Sequence, residues 1–174
     1  MRAPILTPAL LATALAACAG PAPVEVPEAT RLAPTDRIAA SAVPRPMSGT
    51  CETTFVPPPF PLPASFRQVD EGTCQLAHLG RATLYSDKTI TFATGTQVTH
   101  LLRLTAANGD EVHATGEGRN APAGPGQIAF TATMTIVGGT GRFADATGEL
   151  RIAGTATLAT RSSTFRIVEG WIDY

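Results

Sequence analysis

Alternation of apolar and polar residues with a period of two runs through most of the chain after residue 48. Its clearest stretch is residues 127–137. One set of alternate positions there is apolar and the other is mostly threonine: Ile128, Phe130, Ala132, Met134 and Ile136 against Ala129, Thr131, Thr133 and Thr135. Successive side chains of a strand point to opposite faces of a sheet, so this stretch predicts a strand with one buried face.

Similar stretches predict about eight strands and no helix after residue 48. They include residues 49–56, 66–79, 81–85, 89–93, 98–106, 127–137, 150–158 and 163–174. Ser86, Asp87 and Lys88 predict a turn, and residues 118–126, which are rich in glycine and proline, predict a loop. Short strands separated by glycine-rich turns are typical of an all-β barrel or sandwich.

One hairpin can be predicted with its register. Asn108 and Gly109 form a strong turn signal. A two-residue loop would put the apolar sides of the two flanking strands on opposite faces of the sheet. A three-residue loop, residues 107–109, pairs Leu104 with Val112 and keeps both apolar sides together, so we expect this turn.

The N-terminus has the pattern of an export signal. Residues 1–17 combine Arg2 with an apolar stretch rich in alanine and leucine. The stretch ends in Leu15, Ala16, Ala17 and Cys18, which resembles a bacterial lipobox. That resemblance implies cleavage before Cys18 and lipid attachment to its thiol, with a plain signal peptide as the alternative. Ala19, rather than aspartate, favours the outer membrane, with the protein facing the periplasm or the cell surface.

Residues 18–47 predict a tether between the lipidated cysteine and a single folded domain at residues 48–174. The tether contains six prolines among small and charged residues: Pro21, Pro23, Pro27, Pro34, Pro44 and Pro46. Such segments are disordered or adopt polyproline geometry. A short helix over residues 35–42 is the alternative for part of it.

Three cysteines occur, and an odd number in an exported protein needs an explanation. Lipidation uses Cys18 and leaves Cys51 and Cys74. A hairpin that pairs these two cysteines has its midpoint near Leu62, inside the proline-rich residues 56–63, where a loop is expected. We therefore predict a Cys51–Cys74 disulfide, with two free buried thiols as the alternative.

Composition narrows the function classes. The chain has 174 residues, 44% apolar and 16% charged, which suits one packed core. Its formal net charge of -1 provides no electrostatic basis for binding nucleic acid. No oligomer interface is indicated, and after the N-terminus no apolar run is long enough for a membrane-spanning helix.

A glycine-rich corner at residues 137–148 separates two predicted strands. Its distinctive positions are Gly138, Gly139, Thr140, Gly141, Phe143, Ala146 and Gly148. This spacing resembles a signature of plant dirigent proteins and allene oxide cyclases. Residues 78–81 and 165–170 also resemble small secreted bacterial members of that barrel group. We expect the glycines to permit a tight bend and Phe143 to enter the core.

The resemblance implies an eight-stranded antiparallel barrel with a mostly apolar internal cavity. The plant proteins bind oxylipins or phenoxy radicals there, but none of their binding residues can be matched to a position here. Gly139, Gly141 and Ala144 also fit a dinucleotide-binding pattern. A strand follows them instead of the helix that such a site needs, so no nucleotide or other cofactor is predicted.

Three polar residues fall on predicted inward faces: His78, His100 and Glu169. If they converge, they form an acid/base group in an apolar pocket. Alternatively, each is satisfied by hydroxyls, backbone or water and serves packing alone. His113 is predicted to point outward. The three histidines lack the spacing of metal ligands, so no metal site is predicted.

The sequence leaves three functions open. The favoured one is a non-catalytic lipoprotein that binds a small apolar ligand inside the barrel. Ligand-contact candidates are His78, His100, Leu102, Phe130, Met134, Glu169 and Trp171. The others are a cyclase-like or isomerase-like enzyme and an envelope interaction module with a filled barrel. A cavity would favour the two small-molecule functions.

Overall fold

A computed structural model describes residues 43–59 and 61–174. The export signal, the lipidation at Cys18 and most of the predicted tether lie outside these residues. The strands are β1 (Arg45–Pro46), β2 (Gly49–Phe55), β3 (Ser65–Leu76), β4 (Gly80–Thr91), β5 (Thr96–Ala106), β6 (Glu111–Gly124), β7 (Gln127–Gly139), β8 (Thr147–Thr157) and β9 (Ser162–Asp173). A single 3₁₀ turn, Gly141–Phe143, precedes β8, and no helix in this part of the chain could cross a membrane.

The strands β2 to β9 form a closed antiparallel barrel, which confirms the predicted fold class. Each pairs with the next along the chain, and β9 returns to pair with β2. The short β1 pairs with β9 beyond the end of β2. Between them, Met47 is 2% exposed and its backbone N–H donates to the oxygen of Gly170 at 2.8 Å. Contacts of the barrel therefore extend upstream of residue 48, to β1 and Met47.

The apolar alternation fills one end of the barrel, which we call the closed end. The inward face of β7 is the one predicted, and Met134 and Ile136 are almost completely buried. Leu104 pairs with Val112, which confirms the three-residue turn. Burying apolar surface at about 25 cal/mol per Å² is the main driving force for this packing.

The predicted disulfide is present. Cys51 and Cys74 lie directly opposite each other on β2 and β3, with a Cα–Cα distance of 4.0 Å. Both side chains point into the barrel and are 3% and 2% exposed. The bond joins residues 23 positions apart across the proline-rich loop, so it restricts the unfolded chain as well.

The glycine-rich corner closes the same end of the barrel. Phe143 is completely buried, as predicted, and its ring packs edge-on against Tyr174 at 4.6 Å between centroids. Gly141 has φ +58, a left-handed conformation that favours glycine. A Cβ atom on Gly139 would lie 1.8 Å from the backbone oxygen of Glu111, so the corner has no room for a side chain there.

Two local predictions are wrong. Residues 86–88 do not form a turn, because β4 runs continuously from Gly80 to Thr91 and pairs with both neighbouring strands. Residues 118–126 are mostly strand, because β6 extends to Gly124. Pro122 fits there since it lies past the last β5 partner, Arg119, and beside a bulge.

Two β-bulges change which side chains face inward. On β5 the two residues His100 and Leu101 lie opposite a single residue of β6, so this strand has one extra residue. As a result Thr99, before the bulge, and Leu102, after it, both point into the barrel. On β9 the extra residue is Val168. A bulge reverses the alternation at the point where it occurs, so a face predicted by strict period two fails beyond it.

Candidate functional site

The three predicted acid/base residues do not line the barrel interior. His78 lies in the turn after β3 with φ +68, exposed, with Nε2 3.0 Å from the backbone oxygen of Pro46. His100 is exposed at the β5 bulge, with Nε2 2.8 Å from Thr89 Oγ1. The prediction that these two side chains point inward is wrong, because strand β3 ends at Leu76 and the bulge turns His100 outward.

Glu169 also lies on the outer surface. The bulge at Val168 turns it away from the interior, and its side chain is 71% exposed. Its carboxylate accepts a hydrogen bond from Arg151 at 3.0 Å. Trp171, predicted on the same inward face, is likewise on the outside and 41% exposed. The inward orientation predicted for both residues is wrong.

The remaining ligand-contact candidates do lie inside the barrel. Leu102, Phe130 and Met134 are 5%, 8% and 1% exposed. His113 is half-buried and pairs with Glu111, at 2.9 Å between Nε2 and Oε2. That hydrogen bond holds the pKa of Glu111 below its ordinary value.

The end of the barrel opposite the corner contains a cavity of about 190 Å³, which we call the cup. Its walls are largely apolar, and the lining residues come from all eight strands of the barrel and their connecting loops. The apolar side chains are Phe55, Pro58, Phe66, Ile90, Phe92, Ala121, Pro122, Ile128, Phe130, Ala156 and Leu158. At the rim, the rings of Phe66 and Phe92 stack at 5.3 Å between centroids.

The floor of the cup is polar. Asp70, Lys88, Gln97 and Phe130 line both the cup and a deeper void of only about 20 Å³ among the core side chains. These residues therefore separate the cup from the packed half of the barrel. Of them, Asp70 is 4% and Gln97 4% exposed, so the polar groups are buried within the barrel rather than on its rim.

A buried ion pair occupies the centre of this floor. In the β3–β4 register Lys88 lies opposite Gln68, and Asp70 is its diagonal neighbour on the same inner face. Lys88 Nζ donates to Asp70 Oδ2 at 2.5 Å, and Gln68 Nε2 donates to Asp70 Oδ1 at 2.7 Å. Both carboxylate oxygens are thus satisfied, as burial of a charge requires.

Two polar groups around the cup have unused hydrogen-bonding capacity. The Lys88 ammonium has three donor hydrogens, and the hydrogen bonds of the described residues account for one of them. Its Nζ also lies 5.8 Å from the ring centroid of Phe130. The amide Nδ2 of Asn120, another lining residue, is buried and has no partner within residues 43–59 and 61–174.

Behind the floor, on the outer face, Arg67 of β3 donates hydrogen bonds to the carboxylate of Asp87 on β4. These hydrogen bonds lower the pKa of Asp87, and burial opposes the shift. Asp87 directly precedes Lys88, so the outer pair links the same two strands that carry the inner pair. Within the described residues, no group of three or more His, Cys, Asp and Glu side chains could hold a metal ion.

The sequence contained a signal for this floor. Gln68 and Asp70 share the alternation of Cys74 and Leu76 on β3, and Lys88 continues that of Leu84 on β4. Extending the apolar face of β3 upstream would have placed Gln68 and Asp70 inside. The same alternation does not identify Lys88 as inward-facing, because residues 86–88 resemble a turn in isolation.

The cup has the composition that small-molecule sites share, namely apolar and aromatic walls with a few convergent polar groups. The cup has an aromatic rim and a charged floor, whereas the closed end of the barrel is filled with apolar side chains. Comparison of the chain with protein-family models, curated proteins and solved structures found no match.

Proposed function

We propose that this protein is a membrane-anchored envelope lipoprotein whose barrel binds a small, largely apolar ligand in the cup without transforming it. The observation that carries this function is the cup itself, about 190 Å³ in volume with aromatic walls. An engineered protein cavity of about 150 Å³ holds benzene. The ligand is therefore about the size of one substituted ring or a short carbon chain.

The unfilled cup favours this function over an interaction module with a filled barrel. The enzyme alternative used His78, His100 and Glu169 as an interior acid/base group, and all three lie on the outside. The cup does contain the Lys88–Asp70 pair, but both charges are already engaged with each other. Binding needs no further group, whereas acid/base catalysis would.

Anchoring through lipid on Cys18 is the second part of the proposal. It is supported by the lipobox-like residues 15–18 and by the disulfide, since disulfides persist in oxidising compartments such as the periplasm. Several acyl chains would anchor the protein stably. Ala19 supports placement in the outer membrane, facing the periplasm or the cell surface.

We also propose membership in the barrel group of the allene oxide cyclases and dirigent proteins. The glycine-rich corner with its buried Phe143 and the closed eight-stranded topology support this relationship. The relationship concerns the fold, because unrelated functions share folds. It assigns no substrate to this chain.

A substitution that fills the cup tests the binding function. Ala156 lines the cup on β8, whereas Ala153 lies on the outer face of the same strand. We expect ethylbenzene to bind the purified full chain in calorimetric or ligand-observed NMR titrations. Ala156→Phe should abolish binding and Ala153→Phe should preserve it, with both variants checked for cooperative thermal unfolding. Equal binding by the two folded variants would overturn the proposal, as would a wild type that binds neither ethylbenzene nor its oxygen-bearing analogues acetophenone and benzoate.

A further inference from the structure

The polar floor restricts the chemistry of the ligand more closely than the cup's volume does. A hydrocarbon would pack against the aromatic walls but could not accept hydrogen bonds from the polar groups of the cup. Lys88 would keep unused donor hydrogens beneath the ligand, and Asn120 Nδ2 would stay buried without an acceptor. Buried donors without acceptors cost free energy, which a ligand oxygen could recover.

We infer that the cup selects a small neutral molecule with an apolar body and one hydrogen-bond-accepting oxygen, as in a ketone, aldehyde, ester or ether. Lys88 on the floor and Asn120, another lining residue of the cup, are the available donors to this oxygen, and the body packs against the aromatic walls. This inference rests on the proposed binding function and names the ligand class for it.

The charges of the floor argue against an anionic head group. The Lys88 ammonium is already neutralised by Asp70, which is 4% exposed and also accepts from Gln68. A carboxylate ligand would bring a second negative charge next to the buried Asp70, with one cation for both. Burying an uncompensated charge costs far more than a neutral hydrogen bond gains.

The wall next to the floor supports the same orientation. Phe130 lines the cup beside Lys88, whose Nζ lies 5.8 Å from the ring centroid. Three apolar lining residues, Pro58, Phe92 and Leu158, belong to the loops that connect the strands at this end, and Phe92 stacks on Phe66. A ligand with a polar and an apolar end therefore has one favourable direction of entry, oxygen first.

Three probes of similar size represent the three ligand classes: ethylbenzene is a hydrocarbon, acetophenone is a neutral molecule with one accepting oxygen, and benzoate is an anion. They are titrated calorimetrically into the purified full chain and into two variants, Asn120→Leu and Asp70→Asn/Lys88→Met. The double variant removes both charges together, because an unpaired Asp70 could prevent folding. The matched control is Arg151→Met/Glu169→Gln, which removes an ion pair of the same kind from the outer surface.

We expect acetophenone to bind the wild type and the control, and benzoate to bind at least an order of magnitude more weakly. In each floor variant acetophenone should lose roughly threefold to tenfold in affinity, the effect of one hydrogen bond, while ethylbenzene should not weaken. Comparing the two ligands across variants isolates the hydrogen bond from differences in their hydrophobicity.

Two results would overturn the inference and leave the binding function standing. One is binding of ethylbenzene together with an unchanged ratio of acetophenone to ethylbenzene affinity in both floor variants. The other is tighter binding of benzoate than of acetophenone, which would indicate an anionic ligand. Failure of all three probes to bind the wild type would instead remove the binding function itself, and the inference with it.

Discussion

Lys88 and Asp70 form an ion pair whose burial has an energetic cost. The pair lies inside the barrel, with side-chain exposures of 12% and 6%. Such pairs contribute little net stability compared with apolar residues of similar size, yet breaking one leaves a buried charge without a partner. The location of the pair on the floor of the cup fits the role in ligand recognition that we propose for it.

This asymmetry predicts how the pair responds to substitution. Lys88→Met should lower the free energy of unfolding by about 3–5 kcal/mol, because it leaves Asp70 buried without a cation. Asp70→Asn/Lys88→Met should cost clearly less, since no charge remains. Urea denaturation measures both, and exposed Arg151→Met should cost at most about 1 kcal/mol. A double variant that is less stable than the single one would contradict the argument.

The Arg67–Asp87 pair behind the floor predicts that the free energy of unfolding decreases at acidic pH. Hydrogen bonds from Arg67 hold the pKa of Asp87 below its ordinary value of 3.8. The folded protein therefore binds this proton less tightly than the unfolded chain does. The resulting stabilisation is complete above pH 3.8 and is lost as the pH falls through the lowered folded pKa.

Arg67→Gln should raise the pKa of Asp87. The free energy of unfolding should then decrease less steeply as the pH falls below 3.8. Carboxyl ¹³C chemical shifts followed by NMR would report the change directly. Glu111 provides the internal control, because its pKa is lowered by the hydrogen bond with His113 and should stay where it is. An unshifted Asp87 in the variant would show that Arg67 is not the cause.

At the scale of strands and turns, bulges decide which residues reach the interior. On β5 and β9 one extra residue reverses the alternation, and His100, Glu169 and Trp171 consequently face outward. No single-sequence pattern marks these bulges, because they arise from pairing with neighbouring strands. The regular alternation of β7, in contrast, was readable directly from the sequence.

The glycine-rich corner gives a test at this scale. Gly139→Ala should destabilise the barrel by about 3 kcal/mol or more, because the new Cβ would overlap the backbone oxygen of Glu111. Gly109→Ala is the matched control. It has φ +88 but open space around it, so only the conformational cost of about 1 kcal/mol applies. Equal losses in thermal or urea unfolding would show that the close approach does not matter.

At the scale of the whole molecule, the barrel has a closed end filled with side chains and an opposite end that contains the cup. The disulfide, Phe143 and the apolar side chains of the core belong to the closed end, and the cup occupies the opposite end. This division explains how one small barrel can be stable and still keep a cavity. The disulfide contributes about 3 kcal/mol in the chain-entropy model, which helps to offset the unfilled volume.

The proposed membrane attachment also concerns the whole molecule. Cys18→Ser should move the protein from the membrane fraction to the soluble fraction of the envelope. Its mass should lack the acyl groups of the wild type. The Cys51–Cys74 bond should form in both proteins, which thiol titration after unfolding would check. A wild-type chain whose Cys18 carries no lipid would contradict the proposed anchor.

The sequence by itself determined the strand content, the paired cysteines, the turn at residues 107–109 and the corner with its buried Phe143. Each depends on local chemistry: side-chain alternation, turn residues, and the spacing of two cysteines around prolines. Only the tertiary structure decided which polar residues line the interior. Inward and outward faces depend on bulges and on register across neighbouring strands, so Asp70 and Lys88, rather than the histidines, form the floor of the cup.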